Sequence, residues 1–202
     1  SGTSLKALQS AFQMVQYKED IMKQSKLSVQ DICTIALCTA VIAIMAQISI
    51  PMPMGVPMTM QTFAITLAAV VLGSKKGGIS ALVYVLLGAV GLPVLAGFSG
   101  GIQYFAGPTG GFLFSFPFMA YIIGLGVDRF RDKKGGFILC LIAGTLINYV
   151  IGVLMFCILM DSSVMTAITA CVLPFIPTAI IKAALASIIG LKMRGRLGIL
   201  VC

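Results

Sequence analysis

Residues 136–160 have the sequence GFILCLIAGTLINYVIGVLMFCILM, an apolar run without a charged residue. About 20 consecutive apolar residues in a helix span the hydrocarbon core of a bilayer, so this run is long enough to cross a membrane. Lipid offers no partner for backbone polar groups, and the run lacks the alternation of a barrel strand. We therefore predict a transmembrane helix here.

The rest of the chain repeats this pattern. Hydrophobic residues make up 59% of the 202 positions and charged residues only 10%, too little polar surface to cover a soluble domain. Five more apolar segments lie at about 32–50, 59–73, 78–91, 111–127 and 164–191. The second and third segments are short of a full span. The sequence predicts an all-α membrane protein, a compact bundle of six transmembrane helices.

Residues 1–21 differ from the rest. They are polar and lack the apolar central run of a secretory signal, whereas Met22 has the character of a natural start. We interpret residues 1–21 as a leader left from expression or a disordered linker; a native amphipathic arm is the alternative. The fold prediction concerns residues 22–202, taken as one substrate-binding domain.

Basic residues predict the orientation. In a six-helix topology, 13 of the 14 basic residues fall on one side of the membrane: Lys6, Lys18, Lys23, Lys26, Lys75, Lys76, Arg129, Arg131, Lys133, Lys134, Lys192, Arg194 and Arg196. The loops at 51–58, 92–110 and 161–163, on the other side, contain none. By the positive-inside rule both termini are cytoplasmic in a multi-pass protein of the cell membrane. The net charge of +8 thus reflects membrane orientation and not nucleic-acid binding.

The composition argues against catalysis. The chain has no histidine, the commonest general base and metal ligand. None of its six cysteines forms a CxxC pair, and no phosphate-binding GxxxxGK motif is present. We expect a protein that binds a small molecule, with no metal site and no cofactor; a membrane enzyme is the least favoured class.

Lys182 is the only charged residue inside an apolar segment. A charge at membrane depth costs at least about 2.5–3.5 kcal/mol, so it usually has a partner or a function. No acidic residue lies in these segments, and Pro174 and Pro177 favour a helix start nearby, which adds a positive dipole end. We predict that Lys182 binds the carboxylate of a ligand. The alternative is that its side chain snorkels to the headgroups.

Other polar residues at membrane depth are weaker candidates. Gln61, Tyr84, Asn148 and Tyr149 lie in the predicted helices, and an amide suits a ligand with paired NH and carbonyl groups. Alternatively, Asn148 only bridges two helices. The glycine-rich loop at 92–110 is apolar, which predicts a lid folded over the bundle, or else a buried structural loop. Its candidate contacts are Phe98, Ser99, Gly101, Gln103 and Tyr104.

At this point a resemblance is visible. The stretches AQISIP (46–51), VPMTMQTF (56–63), GLPVLAGFSGG (91–101), GPTGGFL (107–113) and LPFIP (173–177) with the later Lys182 occur in an order that resembles the BioY family. This family is the biotin-specific substrate-binding component of energy-coupling factor transporters.

The resemblance implies a subunit that binds biotin at its outer face and works with a transmembrane coupling protein and two ATPases. Lys182 matches the family's lysine, which meets the ligand carboxylate. Ala36 and Ala40 form a small-residue stripe, which lets a helix of this chain or of another subunit approach closely. The resemblance implies that these two residues contact the coupling protein. The family usually carries an aspartate where this chain has Ala179.

Two other functions stay open from the sequence. One alternative is a binding subunit for another small carboxylate vitamin. The other is a structural membrane subunit or channel without a ligand, whose stability would not respond to any vitamin.

Overall fold

The computed structural model describes residues 28–52, 55–130 and 134–196, so the predicted leader at 1–21 lies outside the described residues. The elements are α1 (Val29–Ala46), β1 (Ser49–Ile50), β2 (Met58–Thr59), α2 (Gln61–Leu72), α3 (Ser74–Val90), α4 (Gly110–Arg129), α5 (Lys134–Met160), α6 (Val164–Cys171) and α7 (Ile176–Arg196). Helices α1, α4, α5 and α7 are long and apolar enough to cross a membrane. The predicted all-α membrane class is confirmed.

The chain divides into two compact units at Thr34. In the first unit, the described residues 28–34 contain the start of α1. The Ser28 hydroxyl accepts from the Asp31 N–H and the Asp31 carboxylate accepts from the Ser28 N–H, each at 3.2 Å. These reciprocal bonds form a capping box, which fixes where the helix begins. The second unit starts at Ile35 and contains every feature described below.

Helix α2 lies at the centre of the second unit. Ten of its twelve residues are buried, as expected for a helix that is apolar on all sides. Its length is about 18 Å at 1.5 Å per residue, well short of the ~30 Å hydrocarbon core. Strands β1 and β2 pair antiparallel in front of it, with Ser49 opposite Thr59. β2 ends two residues before α2 begins, so the hairpin lies directly at the start of this short helix.

Helix α3 begins at Ser74, four residues before the predicted segment. The Asp128 carboxylate accepts from both the Ser74 N–H and the Ser74 hydroxyl, each at 2.8 Å. These bonds satisfy donors that a helix start otherwise leaves without partners. Lys75 and Lys76 therefore lie in the first turn of α3 and not in a loop.

Arg194 ties the end of α7 to the same place. Its Nη2 lies 3.0 Å from Asp128 Oδ1, and its Nη1 donates to the Val70 carbonyl at 3.2 Å. The ends of α2, α4 and α7 and the start of α3 therefore meet at one end of the bundle. We call this the basic end, after its members Lys75, Lys76, Arg129, Lys192, Arg194 and Arg196.

The last predicted segment, 164–191, is wrong as one continuous helix. The chain forms α6 and α7, separated at residues 172–175. Pro174 has no N–H to donate and disfavours a helical conformation in the residue before it, which explains the break. Pro177 lies in the first turn of α7, where a missing N–H costs nothing. The predicted helix start near these prolines is confirmed, and the described residues contain seven α-helices where the sequence predicts six.

Two neighbouring glycines of α3 test how tightly it packs on α2. A Cβ at Gly77 would lie 2.8 Å from the Ala69 Cα, whereas one at Gly78 would meet nothing closer than 3.6 Å. Alanine favours a helix over glycine by up to about 1 kcal/mol. We expect Gly78→Ala to keep or raise the melting temperature and Gly77→Ala to lower it, because backbone atoms do not yield. Equal melting temperatures in detergent would contradict the close contact.

Removal of the Asp128 carboxylate tests the basic end. Asp128→Ala leaves Arg194 without its ion pair and the start of α3 without its cap, at a cost of about 1–3 kcal/mol. We expect a lower melting temperature in detergent. The control is Arg129→Ala, since Arg129 is exposed at the same helix end. Similar melting temperatures for the two variants would show that the network contributes nothing.

Candidate functional site

A cavity of about 450 Å³ lies in the half of the bundle opposite the basic end. Its walls come from β2 and the start of α2, the loop between α3 and α4, the first half of α4, the middle of α5, and the α6–α7 break with the first turns of α7. The volume falls in the range of small-molecule sites. Among the described residues, none that line the cavity carries a carboxylate.

Lys182 lies on the cavity wall, two turns into α7. Its Nζ donates to the Thr59 carbonyl at 2.7 Å, and the side chain is half-buried. An ammonium has three donors, so this bond leaves two of them for other partners. The charge therefore faces a neutral cavity, and the side chain does not extend away from it as snorkelling would require.

A chain of hydrogen bonds continues from this point. The Thr59 hydroxyl donates to Gln61 Oε1 at 2.8 Å, and Gln61 Nε2 donates to the Tyr84 hydroxyl at 2.5 Å. The Tyr84 hydroxyl donates in turn to the Val94 carbonyl at 3.1 Å. The chain joins α7, β2, α2, α3 and the glycine-rich loop, so the position of the Lys182 partner depends on all of these elements.

Tyr84 does not line the cavity. Its side chain is completely buried in the core behind Gln61, where its hydroxyl has partners on both sides. Its face of α3 turns toward the core and not toward the cavity. The geometry assigns Tyr84 to holding Gln61 and the loop in place, and not to direct contact with a ligand.

Two loop residues also lie away from the cavity wall. Phe98 is 73% exposed and has a φ of +56°, a strained conformation for a bulky residue. Its N–H donates to Gln47 Oε1 at 2.7 Å, a bond that holds this turn of the loop. Gly101 has a φ of +116°, which a glycine adopts freely, and it leads into the 3₁₀ turn Ile102–Tyr104. The structure brings the other candidates to the wall, namely Gln61, Ser99, Gln103, Tyr104, Asn148, Tyr149 and Lys182.

Asn148 both bridges helices and faces the cavity. It is 2% exposed, and the Ser115 hydroxyl of α4 contacts its Oδ1 at 2.6 Å. Within the described part of the chain its amide nitrogen has no hydrogen-bond partner, so it is available to an acceptor in the cavity. Beside it, the Tyr149 ring meets the Phe112 ring edge to face, with centroids 6.5 Å apart. These rings give the wall an apolar surface next to a polar donor.

Sequence reasoning missed several wall residues. Thr59 holds both Lys182 and Gln61, but only the hairpin places its carbonyl there. Phe175 and Thr178 reach the wall because the chain breaks between α6 and α7. The pair of prolines in the segment was the available signal for that break. Ala36 and Ala40, the candidate partner contacts, are exposed on α1.

The matching family model is described as the BioY family and covers residues 21–198. A probable biotin transporter BioY of Pyrococcus horikoshii is 40% identical over 169 residues, 84% of this chain and 99% of that protein. The biotin transporter BioY of Thermotoga maritima is 40% identical over 156 residues, 77% of this chain and 90% of the relative.

A solved structure is similar as well. The crystal structure at 2.1 Å of the S-component for biotin from an ECF-type ABC transporter aligns with a TM-score of 0.75 and 30% identity. It covers 83% of this chain and 92% of its own. Family model, relatives and structure agree over most of the chain. The chain belongs to the BioY family, a family of transporter components and not of enzymes.

Proposed function

We propose that this chain is the high-affinity biotin-binding membrane subunit of an ATP-driven vitamin uptake transporter. The observation that carries the proposal is the Lys182 ammonium on the wall of a cavity whose described lining has no carboxylate. Biotin offers the matching groups, an anionic carboxylate at one end and a ring system with NH and carbonyl groups at the other. The relatives named as biotin transporters support this choice among small carboxylates.

Each part of biotin has a counterpart on the wall. The valerate carboxylate accepts a hydrogen bond from the Lys182 ammonium. Lys182 either keeps its bond to the Thr59 carbonyl at the same time or gives it up for the carboxylate. The ring system lies against Tyr104 and the Tyr149–Phe112 pair. The ureido group meets the amides of the wall, Gln61, Gln103 and Asn148, of which Asn148 has an unengaged nitrogen suited to the ureido carbonyl.

We also propose six membrane spans, with α6 and α7 together forming the sixth. The basic end then lies in the cytoplasm with both termini, in keeping with the positive-inside rule. The cavity opens on the outer side, and the glycine-rich loop acts as its lid. Support comes from the ion pair of Arg194 with Asp128, which gathers four helix ends on the side that carries the basic residues.

Uptake against a gradient needs partners. The sequence has no phosphate-binding loop of its own, so ATP hydrolysis belongs to two ATPase subunits joined through a transmembrane coupling protein. Ala36 and Ala40 form an exposed small-residue stripe on α1 that allows a second helix to approach closely. We place the coupling protein there.

Truncation of the lysine tests the carboxylate site. Lys182→Ala removes a charge-assisted hydrogen bond worth about 1.5–3 kcal/mol, so biotin should bind about 10- to 150-fold more weakly. The measurement is a radiolabelled biotin titration of the purified protein. Biotin amide, which has no carboxylate charge, should lose much less affinity in the same variant. Lys75→Ala, which removes an exposed lysine of the basic end, is the control.

Three results would count against the proposal. If Lys182→Ala weakened the binding of biotin and of biotin amide equally, the carboxylate of bound biotin would not contact Lys182. Displacement of biotin by a different carboxylate vitamin at lower concentration would favour a different substrate. A melting temperature indifferent to every vitamin tried would favour a structural subunit without a ligand, since a ligand at a thousandfold excess over its Kd stabilises by about 4 kcal/mol.

Tyr84→Phe tests a residue that acts on the site through Gln61. The change leaves the Gln61 amide and the Val94 carbonyl short of a partner, at a cost of about 1–3 kcal/mol of stability. We expect weaker biotin binding as well, measured by the same titration. In a Gln61→Ala background the substitution should cost less affinity than in the original protein, because its route through Gln61 is gone and only its bond to the Val94 carbonyl of the loop remains. Tyr121→Phe, at an exposed position, is the control, and fully additive losses would refute the positioning role.

A further inference from the structure

An apolar groove of about 670 Å³ separates α5 from α7. We call it the α5/α7 groove and define it by six exposed apolar side chains: Ile138, Ile142, Leu146, Ile176, Ile180 and Ile188. Both helices are long and apolar enough to cross a membrane. The groove therefore opens toward lipid. It is separate from the biotin cavity, because among the described residues the two linings have only Tyr149 and Ala179 in common.

One charged residue continues the groove. On α7 the groove residues Ile176, Ile180, Ala184 and Ile188 follow each other at intervals of four, so each is the neighbour of the next along a row that turns by about 40° around the helix at every step. The next position in this series is Lys192. Its side chain is exposed, and within the described part of the chain it has no hydrogen bond or ion pair. An exposed cation without a described partner thus lies one turn beyond Ile188, at the end of the groove nearest the basic end.

The distances fit one leaflet of a bilayer. Thirteen residues separate Ala179 from Lys192, which corresponds to about 20 Å along the helix. Half of a bilayer measures about 20–22 Å when the headgroup region is included. With the Lys192 ammonium at the level of lipid phosphates, Ala179 lies near the bilayer centre, and the groove continues past it to Ile176 and Val172. A single lipid acyl chain with its headgroup at Lys192 therefore fills the part of the groove between Lys192 and Ala179.

We propose that the α5/α7 groove binds one acyl chain of an anionic phospholipid, whose phosphate contacts Lys192. Such a lipid supplies an apolar, flexible body for the groove and a negative charge at its end. A transmembrane helix of a partner protein would also fill the groove, but an anionic group next to Lys192 is not a general property of such a helix. The bound chain also backs Tyr149 and Ala179 from the lipid side, so it supports one wall of the biotin cavity.

The chain contains no tryptophan, which allows a site-specific test. Leu146→Trp places a single fluorophore in the groove, and Leu139→Trp places one on an exposed part of α5 outside it. Each full-length variant is reconstituted in vesicles that contain phosphatidylglycerol or phosphatidylcholine with brominated chains, which quench nearby tryptophan. Fluorescence gives the relative affinity of the two lipids at each position.

We expect the groove position to prefer the anionic lipid about fivefold, the effect of one lysine near a membrane surface, and the outside position to show no preference. Lys192→Gln should abolish the preference in the groove. Lys75→Gln, which removes another exposed lysine of the basic end, should leave it unchanged. A ratio near one in the groove, or a preference that survives Lys192→Gln, would overturn the proposal. A groove tryptophan shielded from both lipids would also overturn it, in favour of a protein occupant.

Discussion

A positive charge at membrane depth, at Lys182, is the constraint on which the rest of this structure depends. Such a charge is stable only with polar partners, and the described lining of its cavity offers carbonyl, amide and hydroxyl groups but no carboxylate. The hairpin of β1 and β2 turns the Thr59 carbonyl toward the ammonium. Because the chain breaks between α6 and α7, the helix that carries Lys182, α7, begins beside the cavity. Both devices leave the charge open to an anion from outside.

Two cations of α7 differ in their partners. Arg194 is held by Asp128, and the same carboxylate caps α3, so the basic end is closed by an ion pair and hydrogen bonds. Twelve residues earlier, Lys182 has only a carbonyl partner. Neutralised charge therefore holds the helices together at one end, and under our proposal the unneutralised charge at the other end binds the ligand. A cation without a carboxylate partner is what a binding site for an anionic vitamin needs, and relatives of this chain in the BioY family are named as biotin transporters.

Much of this arrangement was predictable, because hydropathy and charge act locally. Apolar runs as long as 136–160 have only one stable form in lipid, and Lys182 is conspicuous in its segment. The start of α3 was not predictable, since it depends on Asp128, 54 residues away. The role of Tyr84 was not predictable either, because the residues around a tyrosine that lies behind a cavity and one that lines it follow the same sequence pattern. For the α6–α7 break, Pro174 was a signal, but an apolar run on both sides of it concealed the division.

The contact between Lys182 and the ligand carboxylate is the central claim, and solid-state NMR measures it directly. Protein with ¹⁵N-labelled lysine side chains is loaded with biotin labelled with ¹³C at its carboxyl carbon, and dipolar recoupling reports the distance between the two nuclei. A salt bridge holds nitrogen and carboxylate oxygen within about 4 Å, so the account predicts strong dephasing that disappears in Lys182→Gln. Bound biotin without dephasing, or dephasing that persists in the variant, would contradict it.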